Sequence, residues 1–180
     1  MLSYKYEGNY VPLRGKECST QQMPFISEKI PTFEEFANAS IQDIYGEEII
    51  DSYERKVTSF ESILLINDGG NKFTLKKLPP LAQSIPIITS DVIDINDDGY
   101  EDVIIAGNIY NTEVETPRLD NQFALILLSN KINNYTILGP KETGLYTNGN
   151  IKSIKVINNE KPQLLIGNNN SALEIFELKK

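Results

Sequence analysis

Residues 94–102 carry the residue types and the spacing of a calcium-binding loop. Their sequence, DINDDGYED, places oxygen-bearing side chains at positions one, three, five and nine, with a glycine at position six. Ca²⁺ takes about six to eight oxygen ligands, and a tightly curled loop points the oxygens of alternate residues toward one centre. The seventh residue would contribute its backbone carbonyl, so its side chain is free to vary. The predicted ligands are Asp94, Asn96, Asp98, Tyr100 through its carbonyl, and Asp102.

The residues that flank this loop exclude an EF-hand. An EF-hand loop needs a bidentate glutamate at its twelfth position and a helix that follows it. The twelfth residue here is Ile105, which lies in the apolar run VIIAG of residues 103–107. Such a run is typical of a buried strand, and residues 87–93 also predict a strand. The loop is therefore predicted to join two strands.

A plain acidic turn is the alternative to a calcium site. Asp, Asn and Gly are common in turns because they tolerate turn geometry and form local hydrogen bonds. A turn, however, does not require three carboxylates around one point, where each pair at about 4–5 Å repels by roughly 1 kcal/mol in water. A divalent cation would remove that repulsion, so the pattern favours Ca²⁺.

Composition removes several other classes of function. The chain has 180 residues, a net charge of −8, one cysteine and no histidine. Histidine-dependent triads, most zinc and copper sites and an intramolecular disulfide are therefore excluded. The negative charge predicts no nucleic-acid partner, because phosphate recognition needs clustered Lys and Arg. No apolar stretch approaches the roughly 18 residues of a membrane span, and the first residues, MLSYKYEG, predict no signal peptide.

The elements that must position the loop fall into two predicted regions. Residues 1–58 predict an irregular arm of about 30 residues, followed by an amphipathic helix over 32–45. Thr32 and Glu35 fit a capping box at its start, and Gly46 is placed to end it. Its apolar face consists of Phe33, Phe36, Ala37, Ile41, Ile44 and Tyr45.

Residues 59–180 predict a succession of short strands that repeats imperfectly. Residues 102–108 align with residues 162–168, and each run is an apolar strand that ends in Gly-Asn. Four-stranded units that repeat every fifty to sixty residues, as a rough period, are typical of propeller blades. The turn at 158–162 lacks spaced carboxylates, so one metal site is predicted rather than two. The predicted strands are 62–66, 72–78, 87–93, 103–107, 122–128, 135–138, 151–157, 163–166 and 172–178, with turns at 67–71 and 129–134.

The calcium pattern, followed by an apolar strand and Gly, resembles the FG-GAP repeat of integrin α-chain propellers and the related VCBS repeat. The hairpin at 64–73, LLINDGGNKF, is similar to the next element of those repeats. Residues 14–25 and 31–36 resemble a segment of large exported bacterial FG-GAP/VCBS proteins, some of which are similar to the cartilage-acidic-protein family. The resemblance implies a mainly β fold, a partial β-propeller of about two to three antiparallel blades, with an N-terminal irregular arm and one or two short helices.

The same resemblance implies that the five residues named above bind Ca²⁺ and that the remaining blades belong to a larger propeller. It further implies a non-enzymatic binding module of an exported or cell-surface protein. The loop at 108–121 is then the expected contact for a protein or glycan ligand. Two alternatives stay open: an intracellular adaptor that docks through the helix at 32–45, and a carboxylate-dependent carbohydrate-active enzyme. The carboxylates nominated for the enzyme are Glu113, Glu115 and Asp120.

Overall fold

The computed structural model describes residues 1–114, 116–130 and 134–179. The chain is mainly β, with 36% strand and 20% helix, and its strands form several small antiparallel sheets. It divides into two compact units, Met1–Thr58 and Ser59–Lys180. No helix of the described ranges is long and apolar enough to cross a membrane.

The first unit is more regular than its sequence predicts. A hairpin of β1 (Ser3–Tyr6) and β2 (Asn9–Pro12) replaces the expected irregular start. The helices α1 (Lys16–Gln22), α2 (Phe25–Lys29), α3 (Phe33–Asn38) and α4 (Ile41–Tyr45) follow, then a 3-10 helix at Gly46–Ile49. The prediction of an irregular arm with one or two helices was therefore wrong. Helices of five to seven residues are too short to show a clear apolar period.

The single helix predicted over 32–45 is two helices, because the segment holds two capping boxes. The predicted box is confirmed: the Glu35 N–H donates to Thr32 Oγ1, and the Glu35 carboxylate accepts from the Thr32 N–H. Ser40 and Asp43 form a second box in the same way and start α4. Gly46 ends α4 with a φ of +65°, as predicted. The apolar residues Ile26, Ile30, Phe36, Ala39 and Ile44 form the core of this unit.

The second unit contains the predicted strands, most of them with shifted ends. They are β3 (Ile63–Gly69), β4 (Lys72–Lys77), β5 (Thr89–Ile93), β6 (Asp102–Ala106), β7 (Leu125–Ser129), β8 (Tyr135–Leu138), β9 (Asn150–Ile157), β10 (Gln163–Asn169) and β11 (Glu174–Glu177). Short helices α5 (Pro80–Gln83) and α6 (Pro140–Thr143) each follow a hairpin and precede the next strand. The turn predicted at 129–134 includes residues 131–133, which lie outside the described residues.

The strands form a two-stranded sheet β3-β4, a four-stranded sheet β5-β6-β7-β8 and a three-stranded sheet β9-β10-β11. All neighbouring strands are antiparallel. The element order β3-β4-α5-β5-β6 recurs as β7-β8-α6-β9-β10. The central sheet therefore combines the second hairpin of one copy with the first hairpin of the next.

Side chains alternate across the central sheet, so both of its faces are buried. Ile104 and Ile126 pack on one face against Leu164 and Ile166 of the three-stranded sheet. On the opposite face, Ile105, Leu125 and Leu127 pack with Leu78, Ala82 and Ile85, which lie in and beside α5. The loop that follows β5 is therefore attached to the best-buried sheet of the unit.

Candidate calcium loop between β5 and β6

Residues 94–101 connect β5 to β6 and reverse the chain within a few residues. Asp97 and Gly99 both have positive φ, +56° and +88°. A Cβ atom at Gly99 would meet no atom within 4 Å. Glycine is therefore favoured there by the backbone conformation and not by lack of space. The predicted strand–loop–strand arrangement is confirmed.

The first predicted ligand organises the loop from inside. The Asp94 carboxylate is half-buried and accepts hydrogen bonds from two backbone N–H groups across the loop. The Asp98 N–H donates to Asp94 Oδ1 at 3.1 Å, and the Gly99 N–H donates to Asp94 Oδ2 at 2.9 Å. These bonds hold the backbone of Asp98 and Gly99, positions five and six of the motif, against the Asp94 side chain. The loop is therefore curled around the side chain of its own first residue.

The two exposed predicted ligands, Asn96 and Asp98, face one another. Asn96 Nδ2 donates to Asp98 Oδ2 at 3.0 Å, and Asn96 Oδ1 accepts from the Asp98 N–H at 3.3 Å. Asp98 Oδ1 accepts from the Tyr100 N–H at 2.9 Å. The third and fifth residues of the motif therefore contact each other, and the backbone of the seventh residue contacts the fifth.

Asp102 has a second role that the sequence did not predict. Its side chain is completely buried, with 0% exposure. Asp102 Oδ2 accepts from the Ile95 N–H at 3.0 Å, and Asp102 Oδ1 accepts from the Ser129 N–H at 2.7 Å. The carboxylate thus ties the start of the loop to the end of β7. Only the sheet pairing brings Ser129 to this point, so no local pattern could have identified it.

The loop is strongly acidic. Residues 94–102 contain four aspartates, one glutamate and no lysine or arginine. Within the described residues, however, no three His, Cys, Asp or Glu side chains are gathered closely enough to hold a metal ion. The carboxylates of Asp94, Asp98 and Asp102 turn instead toward backbone N–H groups. A carboxylate oxygen keeps a lone pair after accepting one hydrogen bond. Because the three carboxylates are not gathered at one point, their side chains would have to rotate before their oxygens could share one ion.

The described residues of the loop at 108–121, predicted as a ligand-binding surface, are held by a backbone bridge between Ile109 and Leu119 and by side-chain contacts within the loop. The Arg118 guanidinium lies 4.6 Å from the centre of the Tyr110 ring and forms an ion pair with Asp120 at 2.9 Å. Burial, together with the hydrogen bond and negative charge of Asp120, raises the pKa of Tyr110. Of the carboxylates nominated for catalysis, Asp120 is engaged by Arg118, Glu113 accepts from Thr116 Oγ1 at 2.8 Å, and Glu115 lies outside the described residues.

Comparison of the chain with protein-family models, with curated proteins and with solved structures found no match.

Proposed function

We propose that this chain is a non-enzymatic, calcium-binding segment of a β-propeller, of the kind found in exported or surface proteins. The observation that carries the proposal is the loop at 94–102, where a five-residue ligand motif is already curled between two antiparallel strands. Ca²⁺ would bind the side chains of Asp94, Asn96, Asp98 and Asp102 and the carbonyl of Tyr100. Its role is to stiffen the hairpin, not to take part in a reaction.

Charge supports a cation in this loop. Five acidic residues lie within nine positions and would repel each other most strongly where the loop is partly buried. Extracellular calcium modules bind with dissociation constants of roughly 10⁻⁴–10⁻³ M. At a Ca²⁺ concentration about ten times the dissociation constant, binding to the folded state alone adds about 1.4 kcal/mol to the free energy of unfolding. That is a useful fraction of the stability of a small domain.

The arrangement of the sheets supports the propeller part of the proposal. The central sheet has four antiparallel strands in sequential order and is covered on both faces, as a blade within a ring would be. The flanking sheets have two and three strands. On the β3–β4 hairpin, Leu65 and its cross-strand partner Leu75 are 57% and 56% exposed. On β11, Ile175 is 58% exposed. Further blades are the partners we propose for these apolar faces.

In a propeller, each blade contacts one neighbouring blade through one face and the other neighbour through the opposite face. Equivalent residues of two adjacent blades should therefore lie in different cores, which constrains how the two copies align. Ile104 and Leu164 are equivalent in the alignment of residues 102–108 with 162–168, yet both lie in the same core. A shift of one residue makes Ile105 equivalent to Ile166, and these two side chains lie in different cores. The blade repeat therefore follows the shifted alignment.

The loop at 108–121 is the proposed contact for a protein or glycan ligand. Tyr110 and Arg118 form a stacked pair with a planar guanidinium on an aromatic ring. Both residue types are enriched where proteins contact their ligands.

The test is a thermal melt of the purified chain in EDTA and in millimolar CaCl₂, repeated on Asp98→Ala and on Glu101→Ala. Asp98 is a proposed ligand, whereas Glu101 is an exposed carboxylate of the same loop outside the ligand positions. We expect Ca²⁺ to raise the melting temperature of the wild type and of Glu101→Ala by several degrees, and not that of Asp98→Ala. Equal Ca²⁺ shifts in both variants would mean general charge screening and would refute the loop site.

A further inference from the structure

A stretch of chain before β3 is exposed along its whole length and has no regular structure. The last helix of the first unit ends at Ile49, and β3 begins at Ile63. Residues 53–61, here named the exposed segment, lie in no helix or strand, and every one of them is exposed. Tyr53 and Phe60 are 81% and 92% exposed, so even the aromatic side chains of the segment are not packed.

The backbone of the exposed segment is available to another molecule. Among the described residues, none of its N–H or carbonyl groups forms a hydrogen bond with another backbone group. The Glu61 N–H donates to Ser59 Oγ at 3.2 Å, which is a contact inside the segment. The first backbone bond follows the segment, where the Ser62 carbonyl accepts from the Leu78 N–H at 3.1 Å. An endoprotease holds its substrate as an extended strand through such backbone groups, and exposed irregular stretches are the preferred places of cleavage.

Side-chain contacts leave the middle of the exposed segment unattached to the helices and strands that the structure describes. Arg55 Nε donates to Tyr53 Oη at 2.7 Å, and the Arg55 guanidinium lies 5.2 Å from the centre of the same ring. This contact joins residues two positions apart, so it does not fasten the segment to the rest of the chain. The ion pair to a strand is at the end of the segment, where Glu61 pairs with Lys77 at 2.7 Å. The peptide bonds after Arg55 and Lys56 can therefore be reached without opening a helix or a sheet.

The basic residues of the exposed segment select the class of protease. The sequence has three pairs of adjacent basic residues, at 55–56, 76–77 and 179–180. The pair at 76–77 lies in β4 and is paired with β3, and the pair at 179–180 follows the last strand. The pair at 55–56 therefore combines basic side chains with a free, exposed backbone. A protease that carries a carboxylate in its specificity pocket accepts Arg or Lys before the bond that it cleaves.

We propose that the exposed segment is a processing site, cleaved after Arg55 or Lys56 by an endoprotease specific for basic residues. Water is the second reactant. Its oxygen bonds to the carbonyl carbon of the basic residue, the C–N bond breaks, and the nitrogen of the next residue takes a proton and leaves as an amine. The two compact units meet in sequence at Thr58 and Ser59, so the cut leaves every described helix and strand of both units whole. The inference is independent of the proposed calcium function.

Limited digestion of the full chain with trypsin under native conditions tests the proposal, with the products identified by mass spectrometry. We expect the first cut to follow one of the two basic residues of the exposed segment. The double variant Arg55→Gln, Lys56→Gln should slow the first cut by about tenfold or more, because trypsin must then wait for local opening elsewhere. The matched control, Lys76→Gln with Lys77→Gln, removes the pair in β4 and should leave the first cut unchanged.

Three results would overturn the proposal. They are a first cut of the wild type elsewhere in the chain, an equally fast first cut in the Arg55→Gln, Lys56→Gln variant, and a first-cut rate that rises with the unfolded fraction in dilute urea. The last result would mean that cleavage requires unfolding. A thermal melt followed by circular dichroism checks that each variant is folded. If the double variant does not fold, the position of the first cut in the wild type still decides the question.

Discussion

Replacing Asp102 by alanine is expected to destabilise the second unit even when no metal is present. The carboxylate is fully buried and accepts two backbone hydrogen bonds, at 2.7 Å from Ser129 and at 3.0 Å from Ile95. A hydrogen bond to a charged group contributes about 1.5–3 kcal/mol, and the N–H groups left behind would be without their acceptor. Loss of both bonds therefore costs about 3–6 kcal/mol of unfolding free energy. For a domain of this size, we expect the melting temperature to fall by about 10 °C or more.

Urea unfolding in EDTA, followed by circular dichroism and tyrosine fluorescence, measures this effect. The matched control is Glu101→Ala, which removes an exposed carboxylate from the adjacent position and should change stability by no more than about 0.5 kcal/mol. Asp102→Asn keeps one acceptor and is expected to fall between the two. If Asp102→Ala is as stable in EDTA as Glu101→Ala, the carboxylate does not bridge the loop to β7, and the reasoning is refuted.

Two further predictions concern contacts elsewhere in the second unit. Burial raises the pKa of Asp91, but hydrogen bonds from Lys155 and the Val156 N–H outweigh it and hold the pKa below its usual 3.8. The ionised group thus stabilises the fold above that pH and loses its contribution as pH falls through the lower folded pKa. Asp91→Asn should therefore be less stable than the wild type near neutral pH and nearly as stable in strong acid. Urea titrations of both proteins at several pH values test this, and a stability difference that does not change with pH would contradict it. Gly107→Ala would place a Cβ directly against the Pro86 carbonyl oxygen and should cost about 1–3 kcal/mol of unfolding free energy in the same assay. A neutral result would contradict the close packing.

The sequence predicted the second unit better than the first, because the apolar runs that predict its strands are long enough to be recognised locally. β8 (Tyr135–Leu138) matches its prediction, and β9 (Asn150–Ile157) begins one residue earlier than expected. Apolar runs bounded by turn residues identify strands of this kind locally. β7 starts at Leu125 and not at residue 122, because Phe123 pairs instead with Tyr146 in an isolated bridge. Pairing partners distant in sequence decided that boundary.

Sequence patterns predicted less of the first unit. The capping box at Thr32 was readable, since it needs only two residue types three positions apart. The second box, at Ser40, obeys the same rule but was hidden within an apolar period that continued through it. The hairpin β1–β2 was missed as well: residues 2–6 alternate apolar and polar side chains, but each strand has only four residues and β1 is fully exposed.

By itself, the sequence determined which residues are chemically suited to bind calcium and that they lie between two strands. Those properties depend on residue type and on neighbours along the chain. Tertiary structure alone decided that the buried Asp102 carboxylate bridges to the Ser129 N–H at the end of β7. Burial and the pairing of distant strands depend on how the sheets pack together, which local spacing does not encode.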